Sequence, residues 1–290
     1  LWPVPPGRFS RSDGLEAWAR AARADERLAE RLAALDELRE RHGIAIVEPP
    51  APEALDRYLV EDEATIDLAL AIRNSFARGN RNVVLYGPPG VGKSTVPKRI
   101  AAMLGMGYVQ ITCARGMDTV MLLGTDVIEL GPEGQPHQRI RLGTLAAAAQ
   151  YPVVIELAEP AELDPDFLTN INQLLDEGLL TLWSAAPGEK TVRRHPDCVI
   201  VLTSNTGRAD KHLPESIDDR AGVMAVLTYP EEDEEAVRIA VQALGLLRDG
   251  LGARFDPAPD APPVAEQLPA LFARAVATQR LVAHLRGEWA

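Results

Sequence analysis

The stretch Gly87-Pro88-Pro89-Gly90-Val91-Gly92-Lys93-Ser94, followed by Thr95, decides the fold of this chain. It fits the pattern G-x-x-x-x-G-K-[ST] of a phosphate-binding loop, the P-loop. The apolar run at 82–86 before it predicts a short buried strand, and residues 95–104 after it predict a helix. A strand, a glycine-rich loop and a helix in this order place backbone N–H groups around phosphates at a helix N-terminus.

The motif assigns a task to each of its polar residues. Lys93 is expected to reach the β- and γ-phosphates of a nucleotide, and the Ser94 hydroxyl is expected to hold Mg²⁺. The competing interpretation is a glycine–proline turn that happens to precede a helix. The nucleotide-binding residues that the motif predicts are Gly87, Pro88, Pro89, Gly90, Val91, Gly92, Lys93, Ser94 and Thr95.

Composition limits the class of protein. With 290 residues, 46% hydrophobic and 25% charged, the chain is expected to form one large or two smaller globular domains. Its net charge of −12 argues against a general nucleic-acid-binding surface, and no stretch is apolar enough to predict a membrane span. Two distant cysteines, Cys113 and Cys198, and no visible signal peptide indicate a reducing, cytoplasmic location. The first residue is Leu1 rather than Met, which is compatible with a fragment of a longer protein.

Changes in composition predict three units. Residues 1–52 combine a proline-rich arm with an amphipathic helix, which ends near Gly43 and either binds a partner or packs on its own domain. Residues 53–230 alternate strand-like runs with helical patterns, which predicts a parallel sheet covered by helices, the P-loop NTPase fold class. Residues 231–290 are expected to form a small helical lid domain, complete or truncated.

Strand-like runs recur through the central unit. After the P-loop helix they lie at 108–112, 152–157, 198–203 and 225–227. Further helices are predicted at 65–76, 144–150 and 165–177. Hairpins are predicted at 127–142, around Gly131-Pro132-Glu133-Gly134, and at 179–193, around Pro187-Gly188.

Taken in order, these motifs resemble those of AAA+ ATPases, and within them the MoxR-like and cobaltochelatase small-subunit-like (dynein-related) branch. The similarity runs from about residue 58 to residue 230 and more weakly to residue 286. The segments that carry it are the P-loop at 86–95, Val109-Gln110-Ile111-Thr112, Leu122-Leu123-Gly124, Leu174-Leu175-Asp176-Glu177-Gly178, His195-Pro196-Asp197, Asn205 and Leu213-Pro214-Glu215-Ser216-Ile217-Asp218-Asp219-Arg220.

The resemblance implies roles for residues outside the P-loop. Asn205 looks like sensor 1, a polar side chain that orients the attacking water, although Asn-Thr-Gly is also good turn chemistry. Arg220 looks like an arginine finger acting on the neighbouring subunit; the alternative is a surface arginine paired with Asp218 or Asp219. Arg280 resembles the sensor-2 arginine of the lid, and base contacts are expected around Tyr58.

One position departs from the family pattern. The family expects an apolar strand that ends in Asp-Glu, where Asp holds Mg²⁺ and Glu activates water. Counting back from Leu174 places these roles at Ala158 and Glu159, and an alanine binds no metal. Glu156 lies two residues before Ala158 and therefore faces the same side of the strand, one pleat repeat lower. It could reach the metal through water. Alternatively, it is the true metal-binding acid in a shifted register. Replacement of an original Asp at position 158 is the third interpretation.

The sequence is compatible with two functions. The first is a ring-forming ATPase module, expected to be hexameric, that binds ATP and Mg²⁺ and remodels or metal-loads a client protein. In that case Lys93, Ser94 and Glu159 act within one subunit and Arg220 acts on the next. The resemblance further implies a client with a von Willebrand A-type domain. The second function is a nucleotide-binding scaffold that has lost hydrolysis, which Ala158 favours. No motif discriminates guanine from adenine, and the resemblance favours adenine.

Overall fold

The fold is seen in a computed structural model of the chain, which describes residues 28–49, 63–130, 135–182, 190–205 and 213–228. The predicted lid domain, with Arg280, and the predicted base-contact residue Tyr58 lie outside these residues. No helix among the described residues is long and apolar enough to cross a membrane.

The centre of the molecule is a sheet of five parallel strands. The strands are β1 (Asn82–Gly87), β2 (Gly107–Thr112), β5 (Val153–Ala158), β8 (Val199–Asn205) and β9 (Val223–Val226). They lie in the order β2-β5-β8-β1-β9, with every pairing parallel. Strands β1, β5 and β8 are almost continuously apolar and buried, as expected for a parallel sheet covered on both faces. The predicted fold class is therefore confirmed.

Helices cover both faces of this sheet. On one face lie α2 (Glu63–Ala77) and α3 (Thr95–Leu104), which share a core cluster with Val83, Val154 and Val201. On the other lie α1 (Leu28–His42), α5 (Thr144–Ala148) and α6 (Pro165–Asp176). Neighbouring residues of β1, β2, β5 and β8 alternate between the two clusters, so each of these four strands contributes to two cores.

The helix ends follow signals in the sequence. Helix α6 begins after Asp164, whose side chain accepts from the backbone N–H of Asp166, and it ends before Gly178 at φ 68°. Helix α1 is followed by Gly43 at φ 64°, as predicted. The predicted helix at 144–150 is shorter and ends at Ala148.

Two antiparallel hairpins stand outside the main sheet. The first pairs β3 (Gly124–Leu130) with β4 (Pro136–Leu142), and the second pairs β6 (Leu179–Thr181) with β7 (Thr191–Arg193). Both hairpins were predicted. Three short elements lack a sequence pattern long enough to predict them: α4 (Thr119–Leu122), a 3-10 turn (Pro160–Glu162) and α7 (Glu215–Asp218).

Candidate functional site

The candidate site lies where β1, β5 and β8 end. These strands are parallel, and their carboxyl ends therefore meet at one edge of the sheet. The P-loop follows β1 at this edge and leads into α3, which begins at Thr95. Asn205 ends β8, so the predicted sensor 1 lies on a strand next to the P-loop strand, and Ala158 ends β5, the strand on the far side of β8.

The P-loop has a backbone that requires glycine. Gly90 and Gly92 have φ values of 80° and 94°, in the left-handed region. A Cβ at Gly87 would lie 2.7 Å from the backbone oxygen of Leu227, because β9 ends against this loop. The Thr95 N–H donates to the Gly92 oxygen at 2.8 Å, which starts the helix behind the loop. The glycines of the motif are thus explained by local geometry.

Lys93 is buried at the centre of the site. Its Nζ donates to the Gly87 oxygen at 2.8 Å, to the Pro88 oxygen at 2.9 Å and to Asn205 Oδ1 at 2.7 Å. Burial lowers the pKa of Lys93, and the nearby carboxylates of Glu159 and Glu156 act in the opposite direction. The ammonium is held among acceptors at the mouth of the loop, where an anionic phosphate would replace them.

Glu159 and Asn205 are joined at the ends of their strands. The Glu159 N–H donates to the Thr203 oxygen at 2.7 Å, and the Asn205 N–H donates to Glu159 Oε2 at 3.3 Å. Glu159 has φ 57° and ψ 48°, a left-handed conformation that is uncommon outside glycine. The structure therefore brings together three predicted residues, Lys93, Asn205 and Glu159.

Ala158 and Glu156 differ sharply in their surroundings. Ala158 is partly exposed and lies between Thr112 and Thr203 in the register of the sheet. Glu156 is fully buried; Oε1 accepts from the Thr203 hydroxyl at 3.1 Å and Oε2 accepts from the Tyr108 hydroxyl. Burial and the bond to Glu156 raise the pKa of Tyr108, which keeps its hydroxyl protonated. Both oxygens of Glu156 thus have protein partners.

Ser94 is the remaining predicted metal-binding residue. It precedes α3, is partly exposed, and makes no capping hydrogen bond to the helix with its side chain. Its hydroxyl is therefore not used by the helix end. Among the described residues no group of three or more His, Cys, Asp or Glu side chains could hold a metal by itself. A cation here would rely on Ser94, water and the oxygens of a bound phosphate.

Arg220 lies at the other end of β1. Its backbone oxygen accepts from Asn82 Nδ2 at 3.0 Å and from Asn80 Nδ2 at 3.3 Å. Its guanidinium contacts Asp176 Oδ2 at 3.1 Å and the Ser216 oxygen at 2.5 Å. A polar cleft of about 510 Å³ opens beside it. The partner is on α6, and not the sequence neighbour Asp218 or Asp219 that the alternative interpretation named.

Sequence reasoning missed the polar partners of the predicted residues. Tyr108 and Thr203 lie within strand-like runs and carry no motif, yet they hold Glu156. Asp176 lies in the helix predicted at 165–177, and its bond to Arg220 spans two distant parts of the chain. The available signal was a polar residue within an apolar strand, which requires a partner when it is buried.

The two cysteines have no role at this site. Both are free and buried, and burial raises the pKa of the Cys113 thiol to about 12 and also raises that of Cys198. Such thiols are unreactive near neutral pH. Both side chains pack in the same hydrophobic core cluster.

Comparisons with known proteins agree with this geometry. The AAA domain (dynein-related subfamily) matches residues 82–221. The chain is 29% identical over 208 residues to the aerobic cobaltochelatase subunit CobS of Sinorhizobium sp, covering 68% of this chain and 60% of that protein. It is 30% identical over 196 residues to the Holliday junction branch migration complex subunit RuvB of Parasynechococcus marenigrum (strain WH8102), covering 64% of this chain and 48% of that protein.

A solved structure supports the same fold. A closed-state cryoEM reconstruction of Hsp104 with ATPγS and FITC casein matches 84% of this chain and 44% of its own, with a TM-score of 0.51 and 19% identity. The chain thus spans less than two thirds of the length of each of these relatives. The matched AAA domain contains the P-loop, the ends of β5 and β8, and Arg220. Residues 82–221 therefore match an AAA domain of the dynein-related subfamily, the AAA+ ATPase likeness that the sequence predicted for this part of the chain.

Proposed function

We propose that this chain is an ATP-binding and ATP-hydrolysing AAA+ module. The observation that carries the proposal is the constellation of Lys93, Asn205 and Glu159 at one edge of the sheet. It supplies a cation for phosphate oxygens, an amide that orients a nucleophile and a carboxylate that accepts a proton. A P-loop that served only as a structural turn would need none of these neighbours.

The residues present fit a nucleotide with Mg²⁺. The left-handed Gly90 and Gly92 let backbone N–H groups turn inward, and Lys93 Nζ already contacts three acceptors that phosphate oxygens would replace. Ser94 would hold the Mg²⁺, with water and phosphate oxygens as the other ligands. When bound, the ion neutralises charge on the β- and γ-phosphate oxygens. Adenine rather than guanine remains the proposal from family membership.

Each residue of the chain then has a defined task. Lys93 binds phosphate and offsets negative charge as the terminal phosphate leaves. Asn205 orients the attacking water through its side-chain amide, and Glu159 takes the proton of that water. The register is supported by burial, because Glu156 and Leu157 are fully buried whereas Ala158 and Glu159 are partly exposed at the strand end.

The second candidate is a nucleotide-binding scaffold without efficient hydrolysis. The observation that favours it is Ala158, which offers no oxygen at the position where the family places the metal-binding Asp. Glu156 lies one pleat repeat lower, and both of its oxygens are already hydrogen-bonded. Loss of a metal-positioning group typically lowers metal affinity or activity by about 10–100-fold.

We propose that hydrolysis is completed in a ring, expected to be a hexamer. Arg220 is hydrogen-bonded to Asn82, the first residue of β1, whereas the P-loop begins at Gly87, the last residue of that strand. A six-residue strand separates the two ends by about 16 Å, so Arg220 does not serve the site of its own subunit. An arginine on this far surface is suited to a neighbour's nucleotide.

The client is proposed from relatives alone. Similarity to a cobaltochelatase subunit favours metal loading or remodelling of a partner protein, and a von Willebrand A-type domain in that partner is the expectation carried by the branch. A role on nucleic acid, suggested by the name of the RuvB relative, is disfavoured by the net charge of −12. A helical lid domain at 231–290 and a sensor-2 role for Arg280 remain proposals from the resemblance.

The decisive experiment measures ATP turnover with Mg²⁺ and the dissociation constant of a fluorescent ATP analogue. The matched blank is Lys93→Ala, which removes the phosphate-binding cation. Turnover above the blank supports the enzyme. Analogue binding that Lys93→Ala abolishes, without turnover, supports the scaffold. Equal binding of the analogue by both chains, with no turnover, would overturn both functions.

A further inference from the structure

The hydroxyl of Tyr86 connects the P-loop strand to the segment that carries Arg220. Tyr86 is the residue of β1 that immediately precedes Gly87. Its hydroxyl donates to Asp218 Oδ1 at 2.7 Å and also hydrogen-bonds the backbone of Leu213. Residues 213–220, here called the Arg220 segment, are thus held near both ends by one side chain.

The protonation state of Tyr86 suits this role. The side chain is buried, and burial together with the bond to Asp218 raises the pKa of its hydroxyl. The hydroxyl therefore remains a donor throughout the physiological pH range, and Asp218 receives a charge-assisted hydrogen bond. A phenylalanine would occupy nearly the same volume without the donor.

The Arg220 segment has further anchors on the same side of the molecule. Asn82, at the start of β1, donates to the Arg220 oxygen, and Asn172 of α6 donates to Ser216 Oγ at 2.9 Å. Strand β1 thus contacts the segment from both of its ends, through Asn82 and through Tyr86. The Tyr86 contact is the one next to the nucleotide loop, because the following Gly87 oxygen accepts from Lys93.

We propose that Tyr86 is a positioning residue for Arg220, whose hydroxyl ties the placement of the arginine on one subunit to the P-loop strand of that same subunit. The inference rests on the proposed ring ATPase and adds a residue that communicates between adjacent sites. When Lys93 exchanges its carbonyl partners for phosphate, the loop after Tyr86 changes its hydrogen bonds. Tyr86 lies beside this loop and holds Asp218, two residues before Arg220, whether or not the loop is occupied.

The test uses the full 290-residue chain with Tyr86→Phe. The expected result is an unchanged dissociation constant for a fluorescent ATP analogue and a turnover about tenfold lower, the size expected for one hydrogen bond to a charged group. Tyr151→Phe is the matched control, because Tyr151 is also buried and its hydroxyl donates to Glu37 at 3.2 Å, away from the site. The control is expected to turn over ATP as the parent does.

Mixed rings show where the hydroxyl acts. Lys93→Ala subunits bind no nucleotide but present an intact Tyr86 and Arg220 to their neighbours. Adding them to Tyr86→Phe subunits is expected to raise the turnover per Tyr86→Phe subunit toward the parent value. An unchanged turnover of Tyr86→Phe, a weaker binding of the analogue, or a loss that Lys93→Ala subunits do not restore would overturn the inference.

The partner residue gives an independent readout. Asp218→Asn keeps an oxygen that accepts from Tyr86 and is expected to retain most of the turnover, whereas Asp218→Ala is expected to match Tyr86→Phe. Equal losses in Asn and Ala variants would contradict the inference. A parent chain that shows no turnover above Lys93→Ala would instead overturn the proposed ATPase, and the inference would fall with it.

Discussion

Asn205 Oδ1 accepts a hydrogen bond from Lys93 Nζ at 2.7 Å, across the two central strands of the sheet. Lys93 follows β1 and Asn205 ends β8, and these strands pair in parallel with Gly87 opposite Asn205. The pairing register thus helps to bring the predicted phosphate-binding cation and the predicted sensor together. A phosphate bound at Lys93 would compete directly with the hydrogen bond to Asn205.

Replacing Asn205 with Ala is expected to lower ATP turnover by about 100-fold, the lower range for a group that assists proton transfer. Binding of a fluorescent ATP analogue should be nearly unchanged, because the P-loop backbone and Lys93 remain. Turnover and equilibrium binding on the same preparation check this. A parallel loss of binding and turnover would assign Asn205 to nucleotide binding instead.

Replacing Ala158 with Asp tests the missing acid. If hydrolysis is limited by this position, turnover should rise by about 10–100-fold, because a carboxylate would be restored next to the metal. Ala158→Asn is the matched control, since it has the same shape without the charge. Steady-state turnover at saturating ATP is the measurement. Equal turnover rates in the parent and in Ala158→Asp would show that Glu156 or another group already supplies the metal-positioning acid.

Replacing Arg220 with Ala is expected to lower turnover by about 1,000-fold if the guanidinium stabilises charge in the neighbouring site. Arg41→Ala is the control, because Arg41 is an exposed arginine in an ion pair with Glu37 on α1. Mixing with Lys93→Ala chains should restore turnover to the Arg220→Ala subunits, as those chains supply Arg220. If mixing does not restore turnover to the Arg220→Ala subunits, Arg220 acts within its own subunit.

Asn82 is expected to be a stability determinant. It is buried, accepts from Arg194 Nη1 at 2.6 Å and donates to the Leu175 oxygen at 2.9 Å. Asn82→Ala leaves these groups unsatisfied and should lower the free energy of unfolding by about 2–4 kcal/mol. Urea unfolding of this variant is compared with Asn74→Ala, an exposed position where less than about 0.5 kcal/mol is expected. Similar losses would contradict the assignment.

Stability should fall as the solution is acidified through the titration of His195. Burial lowers the pKa of His195 from its ordinary value of 6.5, and its Nδ1 accepts from the Asp197 N–H at 3.0 Å. The unfolded chain therefore binds more protons than the folded chain between the folded pKa and 6.5. This contribution is complete above pH 6.5 and is lost as the pH falls toward the folded pKa.

Thermal unfolding near pH 7.5 and near pH 5.5 measures this effect in the parent and in His195→Asn, which keeps an acceptor without a titrating ring. The loss of melting temperature on acidification should be smaller in the variant. His137→Asn, on the exposed face of β4, serves as the control and should behave as the parent does. An unchanged pH dependence in His195→Asn would exclude this group as a source.

The sequence predicted the parts of the structure that depend on local pattern. The P-loop, the buried strands and both hairpins follow from residue type and spacing, and the order of motifs placed Asn205 beside Lys93. The partners of Glu156 and Arg220 could not be predicted, because Tyr108, Thr203 and Asp176 approach them only once the strand order is fixed. Short elements such as α7 have too few residues for a periodic signal.

The left-handed backbone at Glu159 lowers the stability of the fold at a residue whose carboxylate is proposed to act in hydrolysis. Glycine adopts φ 57° without the cost of about 1–2 kcal/mol that a side chain brings there. Because this strain is relieved, Glu159→Gly should have a higher free energy of unfolding than the parent. A subunit that served only as a scaffold would gain from the relieved backbone and lose one hydrogen bond, from the Asn205 N–H to Glu159 Oε2 at 3.3 Å. Among the described residues, Glu159 is the only non-glycine residue with a positive φ, an arrangement expected where the proposed activity requires a carboxylate at the expense of stability.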